Sequence, residues 1–297
     1  MVGTDGEAPT VAREYIDAQC DSTAWNGFRF RDGDIVVASP AKAGTTWTLA
    51  ILVQLIHGAP EAPRVGNICR WIDFTLFREG RMEAVEAQTH RRVMKSHLPA
   101  YALPISPRAK YIYVARDGRD VAWSEHNHLF KSEDMLFDAL NAVRPAGAPE
   151  IRRPLEDVHE YYRAWMAGRS SMGQFWDHVR SWWPLRHLEN VYLLNYQNLT
   201  DDLDGRMAEL AAWLGIELDE ATMARAVRHA GFSHMKAQAD AMFPEMPMVG
   251  GAQSFINRGS NGRWRDVLSA AEVAEYEARA IEELGPDCAR WLATGRF

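Results

Sequence analysis

Cysteine is scarce in this sequence. Its three residues, Cys20, Cys69 and Cys288, lie far apart and form no C-x-x-C pair. That spacing gives no zinc-ligand pattern, and it is expected of reduced, partly buried thiols in a reducing, cytoplasmic compartment. Long apolar runs are missing as well. The longest, residues 49–56, is interrupted by Gln54 and falls far short of the ~20 residues that a membrane span needs. Residues 1–21 are acidic and polar, with no basic region ahead of an apolar one, so no signal peptide is expected. Positive charge is in the minority: 33 Lys and Arg stand against 40 Asp and Glu, for a net charge of −7. Such a chain is a poor partner for nucleic acid or a membrane surface. It can still hold a highly anionic ligand where its few cations converge on one cleft. There is no internal repeat and no low-complexity tract.

What is present is ordinary globular sequence: 297 residues, 47% hydrophobic and 25% charged, enough to bury a sizeable core. Four short runs read as strands covered on both faces, because each is nearly continuous in hydrophobicity and rich in β-branched or aromatic residues. They are residues 34–38 (DIVVA), 92–95 (RVMK), 111–115 (YIYVA) and 191–195 (VYLLN). Residues 45–57, 120–130, 171–183, 203–214 and 270–284 show apolar spacings of three and four, as helices do. The alternation predicts a single α/β domain over residues 1–297, with a central parallel β-sheet flanked by helices and residues 1–25 as an N-terminal extension. Residues 144–154 and 239–251, rich in Pro and Gly, are expected to be long surface loops of that domain. Ligands of such sheets sit beyond the carboxyl ends of the strands.

The first candidate site lies at such an end. Ser39-Pro40-Ala41-Lys42-Ala43-Gly44-Thr45-Thr46-Trp47 joins the first strand to a helix. A helix N-terminus offers unpaired N–H groups and a partial positive charge; two threonine hydroxyls, a lysine and small residues add donors, charge and room for an anion. The order is not G-x-x-x-x-G-K-[ST], since Lys42 precedes Gly44. An ordinary turn with capping threonines would look the same.

Lys42-Ala43-Gly44-Thr45-Thr46-Trp47 resembles the KSGTTW phosphosulfate-binding loop of the cytosolic-type sulfotransferases, with Ala41 where that family usually has Pro and Ala43 where it has Ser. Four more segments follow in the family's order. Lys95-Ser96-His97-Leu98-Pro99 resembles K-[TS]-H-L-P, and residues 114–124 resemble V-A-R-N-P-K-D-V-A-V-S with Asp117-Gly118-Arg119 in place of Asn-Pro-Lys. Residues 191–199 resemble a strand ending in Y-E-D-L, with Gln197 and Asn198 where acids are usual. Residues 255–264 resemble F-M-R-K-G-x-x-G-D-W. Phe232, Met235 and Lys236 match S-F-x-x-M-K, and His178 lies in a stretch resembling G-S-W-F-D-H-V, where it reads as a structural histidine packed between tryptophans.

The resemblance spans residues 34–264, and it implies a sulfuryl transfer from 3′-phosphoadenosine 5′-phosphosulfate (PAPS) to a small-molecule acceptor, releasing adenosine 3′,5′-bisphosphate (PAP), without a metal. It implies that Lys42 contacts the sulfuryl group, that Ala43 and Gly44 to Thr46 hold the 5′-phosphate, and that Trp47, Tyr196 and Phe232 flank the adenine. Arg116, Ser124, Arg258 and Gly259 would bind the 3′-phosphate, with Asn257 at a position where the family usually has Arg. That departure leaves two outcomes open: weaker binding, or compensation by Arg263. His97 is the implied general base; Lys42, Lys95 and Ser124 complete the catalytic set. A neutral imidazole can take the acceptor proton, and lysines can stabilise charge that develops on the transferred group.

A small-molecule kinase would need a Gly-Lys-Thr/Ser loop and a carboxylate for Mg²⁺, for which only Asp117 is placed. A non-catalytic nucleotide-binding protein of the same fold would have lost Lys42 or His97. Carbohydrate-specific relatives often use an acidic base, so the histidine favours the small-molecule branch. Trp71, Phe74, Phe77, Phe130 and Phe137 are candidates for an apolar or phenolic acceptor pocket, although aromatic residues at such spacing are equally plain core. The family's dimerisation motif fits residues 265–273 poorly, which leaves a monomer or a homodimer.

Overall fold

The computed structural model describes residues 11–58, 64–244 and 246–297. Five strands form one parallel sheet in the order β2-β3-β1-β4-β5. They are β1 (Asp34–Ala38), β2 (Cys69–Trp71), β3 (Val93–Ser96), β4 (Ala109–Ala115) and β5 (Val191–Asn195). All five residues of β1 are buried, because helices cover the sheet on both sides. Alternation along the strand splits them between two cores. Ile35 and Val37 meet Leu49, Leu52 and Leu55 of helix α1 (Thr45–His57) on one face, with Met207, Leu210 and Ala226 behind. Val36 and Ala38 meet Tyr111, Tyr113, Trp182 and Trp264 on the other.

The chain leaves β1 for the sheet edge at β2, returns to β3, and then crosses to β4 on the far side of β1. The reversal opens a crevice at the carboxyl ends of β3, β1 and β4, where ligands of open α/β sheets bind. At the opposite end the register is pinned by a buried ion pair. Arg92 Nε donates to Asp34 Oδ1 at 2.9 Å, with the side chains 1% and 2% exposed, and Arg92 Nη2 also donates to the Arg29 carbonyl.

The structure differs from the sequence expectation in specific places. β3 begins at Val93, because Arg92 spends its side chain on Asp34 rather than on a strand face. β2 was not expected: three residues with an arginine in the middle carry no hydrophobic pattern. The helix expected over residues 171–183 is Phe175–Trp182, since Gly173 (φ 103°) holds the chain non-helical and Pro184 follows in a 3₁₀ turn. The helix expected from residue 120 begins at Gly118, where the Asp117 side chain accepts from Arg119 N–H as N-cap. Gly118 has a packing reason. An added Cβ would lie 2.8–2.9 Å from Phe175, Trp165 and Tyr276, and its N–H donates to Tyr276 Oη at 2.8 Å. Residues 11–25 do not stand apart as an extension: Cys20 and Trp25 are buried in the main core, and Trp25 Nε1 donates to Asp73. Residues 1–10 of that extension lie outside the described residues.

Candidate active site

The loop between β1 and α1 has two residues in the left-handed region, Lys42 (φ 63°) and Gly44 (φ 117°). Gly44 needs its missing side chain. A methyl group there would sit 2.6 Å from the Tyr196 ring and 3.4 Å from Val114. Gly44→Ala should therefore cost about 2 kcal/mol, from backbone strain and displacement of Tyr196. Thermal unfolding checks this; an unchanged Tm would mean that the loop is free to relax. Thr45 Oγ1 and Ser39 Oγ hydrogen-bond at 2.5 Å, fixing the turn, and the helix behind it aims its first N–H groups into the crevice. Trp47 Nε1 donates to the Ala230 carbonyl at 2.8 Å, which sets its ring edge-on to Tyr196, with centroids 5.1 Å apart.

One cavity of about 750 Å³ opens over this loop. Lys42, Gly44, Thr45, Thr46, Trp47, Lys95, His97, Arg116, Ser124, Tyr196, Phe232 and the run Asn257 to Gly259 all face it, so the sequence-predicted set converges except for Ala43, which is buried behind the loop. Gly259 (φ 64°) lies so close to the Phe232 ring that no Cβ would fit. His178 stays out of this cavity, stacked on Tyr113 as a core histidine.

The electrostatics are unusual for an acidic chain. Lys42 and Lys95 are both pushed down to about 8, chiefly by burial, and for Lys42 next by the charge of Lys95. Neither forms an ion pair among the described residues. Lys42 Nζ lies 4.9 Å from the centre of the Phe255 ring, and Lys95 Nζ 3.6 Å from that of Trp71. His97 Nδ1 lies 2.7 Å from the Ser39 carbonyl, an acceptor, so the ring proton sits on Nδ1 and Nε2 is left as a base. Burial, then the Lys95 charge, holds this imidazole well below its ordinary range, so it is neutral at pH 7.

Arg116 faces the same cavity from the end of β4. Its Nε donates to Asn261 Oδ1 at 2.7 Å, its Nη2 to the Ser260 carbonyl at 2.9 Å, and its guanidinium stacks 4.4 Å from the centre of Tyr196. Asp120 lies 3.7 Å away. Asp117, the carboxylate that a metal-dependent kinase would need, is held by Arg119 Nε and Nη2 at 3.0 and 2.7 Å.

The far half of the cavity is apolar. Trp71 and Phe74 stack 4.1 Å apart within it, and Phe77 stands at its mouth, 85% exposed. Phe130 and Phe137 do not line it. Phe130 follows His128 by two residues, which turns it to the opposite face of the helix Gly118–Lys131, where it stacks on His126. Phe137 is buried among Leu76, Leu129 and Leu140. Sequence reading also missed wall residues: Met135, Met172, Met246 and Met248, together with His128; Arg263, left open as a compensating cation, lines the cavity too. The methionines carry no motif, and they come from three separate loops and helices.

The family model described as the sulfotransferase domain matches residues 32–285. A glycolipid sulfotransferase of Mycobacterium bovis is 28% identical over 95% of this chain and 94% of its own. Mouse sulfotransferase 1B1 is 28% identical over 84% of this chain and 82% of its own. Among solved structures, mouse sulfotransferase SULT7A1 complexed with PAP superposes with a TM-score of 0.71 at 21% identity, covering 91% of each chain. Retinol dehydratase in complex with androsterone and PAP gives 0.67 at 22% identity, covering 88% of this chain and 84% of that one. These two likenesses establish the shared fold.

Proposed function

We infer, for a chain that belongs to the sulfotransferase domain family, that the cavity over the β1–α1 loop binds PAPS and an acceptor and transfers the sulfuryl group between them. The observation that carries this reading is the convergence of Lys42, Lys95, Arg116, Arg258 and Arg263 on one cavity of a protein with net charge −7. Cations gathered at such cost in repulsion and burial suit a ligand with several anionic groups. The donor supplies an activated sulfuryl group on a phosphate; the residues supply the rest. Lys42 and the N–H groups of Gly44 to Thr46 hold the 5′ end, Trp47, Tyr196 and Phe232 flank the base, and Arg116, Ser124, Arg258 and Gly259 hold the 3′-phosphate. His97 Nε2 takes the acceptor proton. Lys42 and Lys95 stabilise the charge that grows on the leaving phosphate and the sulfuryl oxygens. In this reading the lysines do what a metal does in phosphoryl transfer.

The apolar half of the cavity gives the acceptor its character: a hydroxyl, or an amine, on a largely apolar body such as a phenol, a steroid-like alcohol or a lipid. One of the relatives named above is a glycolipid sulfotransferase. Methionines in the wall can repack around different shapes. We propose a cytoplasmic location on the same footing: Cys20, Cys69 and Cys288 are buried free thiols, and no helix among the described residues is long and apolar enough to cross a membrane.

Calorimetric titration tests the donor site. PAP without Mg²⁺ should bind tightly and ATP weakly; equal or tighter ATP binding would overturn the reading. The lysines add a signature. In the free protein both titrate near 8, and an anion beside them raises them. Binding at pH 8, where the nucleotide phosphates are already dianionic, should therefore take up roughly one proton, about half by each lysine. Heats compared in Tris and HEPES measure it. Proton release would have the wrong sign.

A further inference from the structure

The position equivalent to a family arginine is neutral here, at Asn257, and the structure offers a replacement. This inference rests on the donor-site reading. The segment that brings Asn257 and Arg258 to the cavity also brings Arg263 to it. Arg263 is fixed from both sides. Its backbone follows Gly262, whose N–H donates to both oxygens of Asp120 at 2.9 and 3.0 Å, and Asp120 is the carboxylate 3.7 Å from Arg116. Its guanidinium lies 5.4 Å from the centre of the Trp123 ring, on the residue that precedes Ser124. Arg263 thus stands beside Arg116 and Ser124 through covalent and hydrogen-bonded neighbours, rather than as a loose surface cation.

Its surroundings are positive. Burial, then Arg258 and Arg116, hold the Arg263 guanidinium below its ordinary range. Asp120 faces this group, and neither Arg258 nor Arg263 forms an ion pair among the described residues. Three guanidiniums around one buried carboxylate leave about two positive charges uncompensated, which matches a phosphate monoester dianion. We propose that Arg263 is a ligand of the donor's 3′-phosphate and takes the place of the cation absent at Asn257.

The test compares two nucleotides that differ only in that phosphate. Arg263→Gln should raise the Kd of adenosine 3′,5′-bisphosphate about 10- to 100-fold, the effect of losing one charged hydrogen-bonding partner, and leave adenosine 5′-monophosphate unchanged. Adding Asn257→Arg to that variant should recover most of the loss. Equal weakening of both nucleotides would overturn the proposal, since Arg263 would then act on the fold or the 5′ site. So would no change in either. Wild-type protein that failed to prefer the bisphosphate would instead overturn the donor-site reading, and this inference with it.

Discussion

His97→Ala should lower kcat by about 10²- to 10⁴-fold while leaving PAP affinity within a few-fold of wild type. In the proposed mechanism the imidazole has one task. Its Nδ1 is committed to the Ser39 carbonyl, and Trp71 lies edge-on to the ring at 4.9 Å, so neither the tautomer nor the ring plane is free. Because the ring is neutral throughout the physiological range, kcat should not rise with a histidine-like inflection near pH 6.5. It should be level through neutrality. The losses belong at higher pH: kcat/KM should fall as the solution passes about pH 8, where the free enzyme's Lys42 and Lys95 lose their charge. In kcat the fall should come later, since a bound anion keeps the lysines protonated. Near-wild-type turnover by the alanine variant would remove His97 from the reaction.

Lys42→Gly should abolish most turnover, by about 10²- to 10³-fold, and yet should not lower Tm. Two costs disappear with the side chain. Lys42 has a positive φ of 63°, which costs a non-glycine residue about 1–2 kcal/mol, and its ammonium is recessed without a carboxylate partner. In the proposed mechanism both are carried for the reaction and not for the fold, a pattern expected where strain marks function. Glycine loses chain entropy of up to about 1 kcal/mol, so a Tm equal to or above wild type is the expected result. A marked drop in Tm together with intact turnover would show that the lysine is structural.

Much of this was legible in the sequence, and what was missed has physical causes. The runs at Asp34–Ala38 and Val191–Asn195 were read to the residue because strands of a covered sheet are hydrophobic without interruption. Lys42, Lys95 and Arg116 were legible because each sits beside a strand end, so a local pattern also fixed a place in the crevice. Phe130 and Phe137 were misjudged because aromatic spacing does not say which face of a helix meets a cavity. Arg263 was left undecided for a related reason: its position depends on Gly262 bonding to Asp120, some 140 residues away in sequence. The methionine wall has no local signature at all.

If His97 is the base, as proposed, its hydrogen bond to the Ser39 carbonyl also governs how the enzyme recovers between turnovers. With Nδ1–H already donated, a captured proton lodges on Nε2 and makes an imidazolium beside two ammonium groups. The burial that keeps the ring neutral, with the Lys95 charge beside it, also favours loss of that proton. In this reading it passes its proton to water, and the base is restored ahead of product release. Proton ejection is then not expected to limit turnover. Turnover should respond to solvent viscosity, which hinders the departure of products, and only weakly to replacement of water by heavy water.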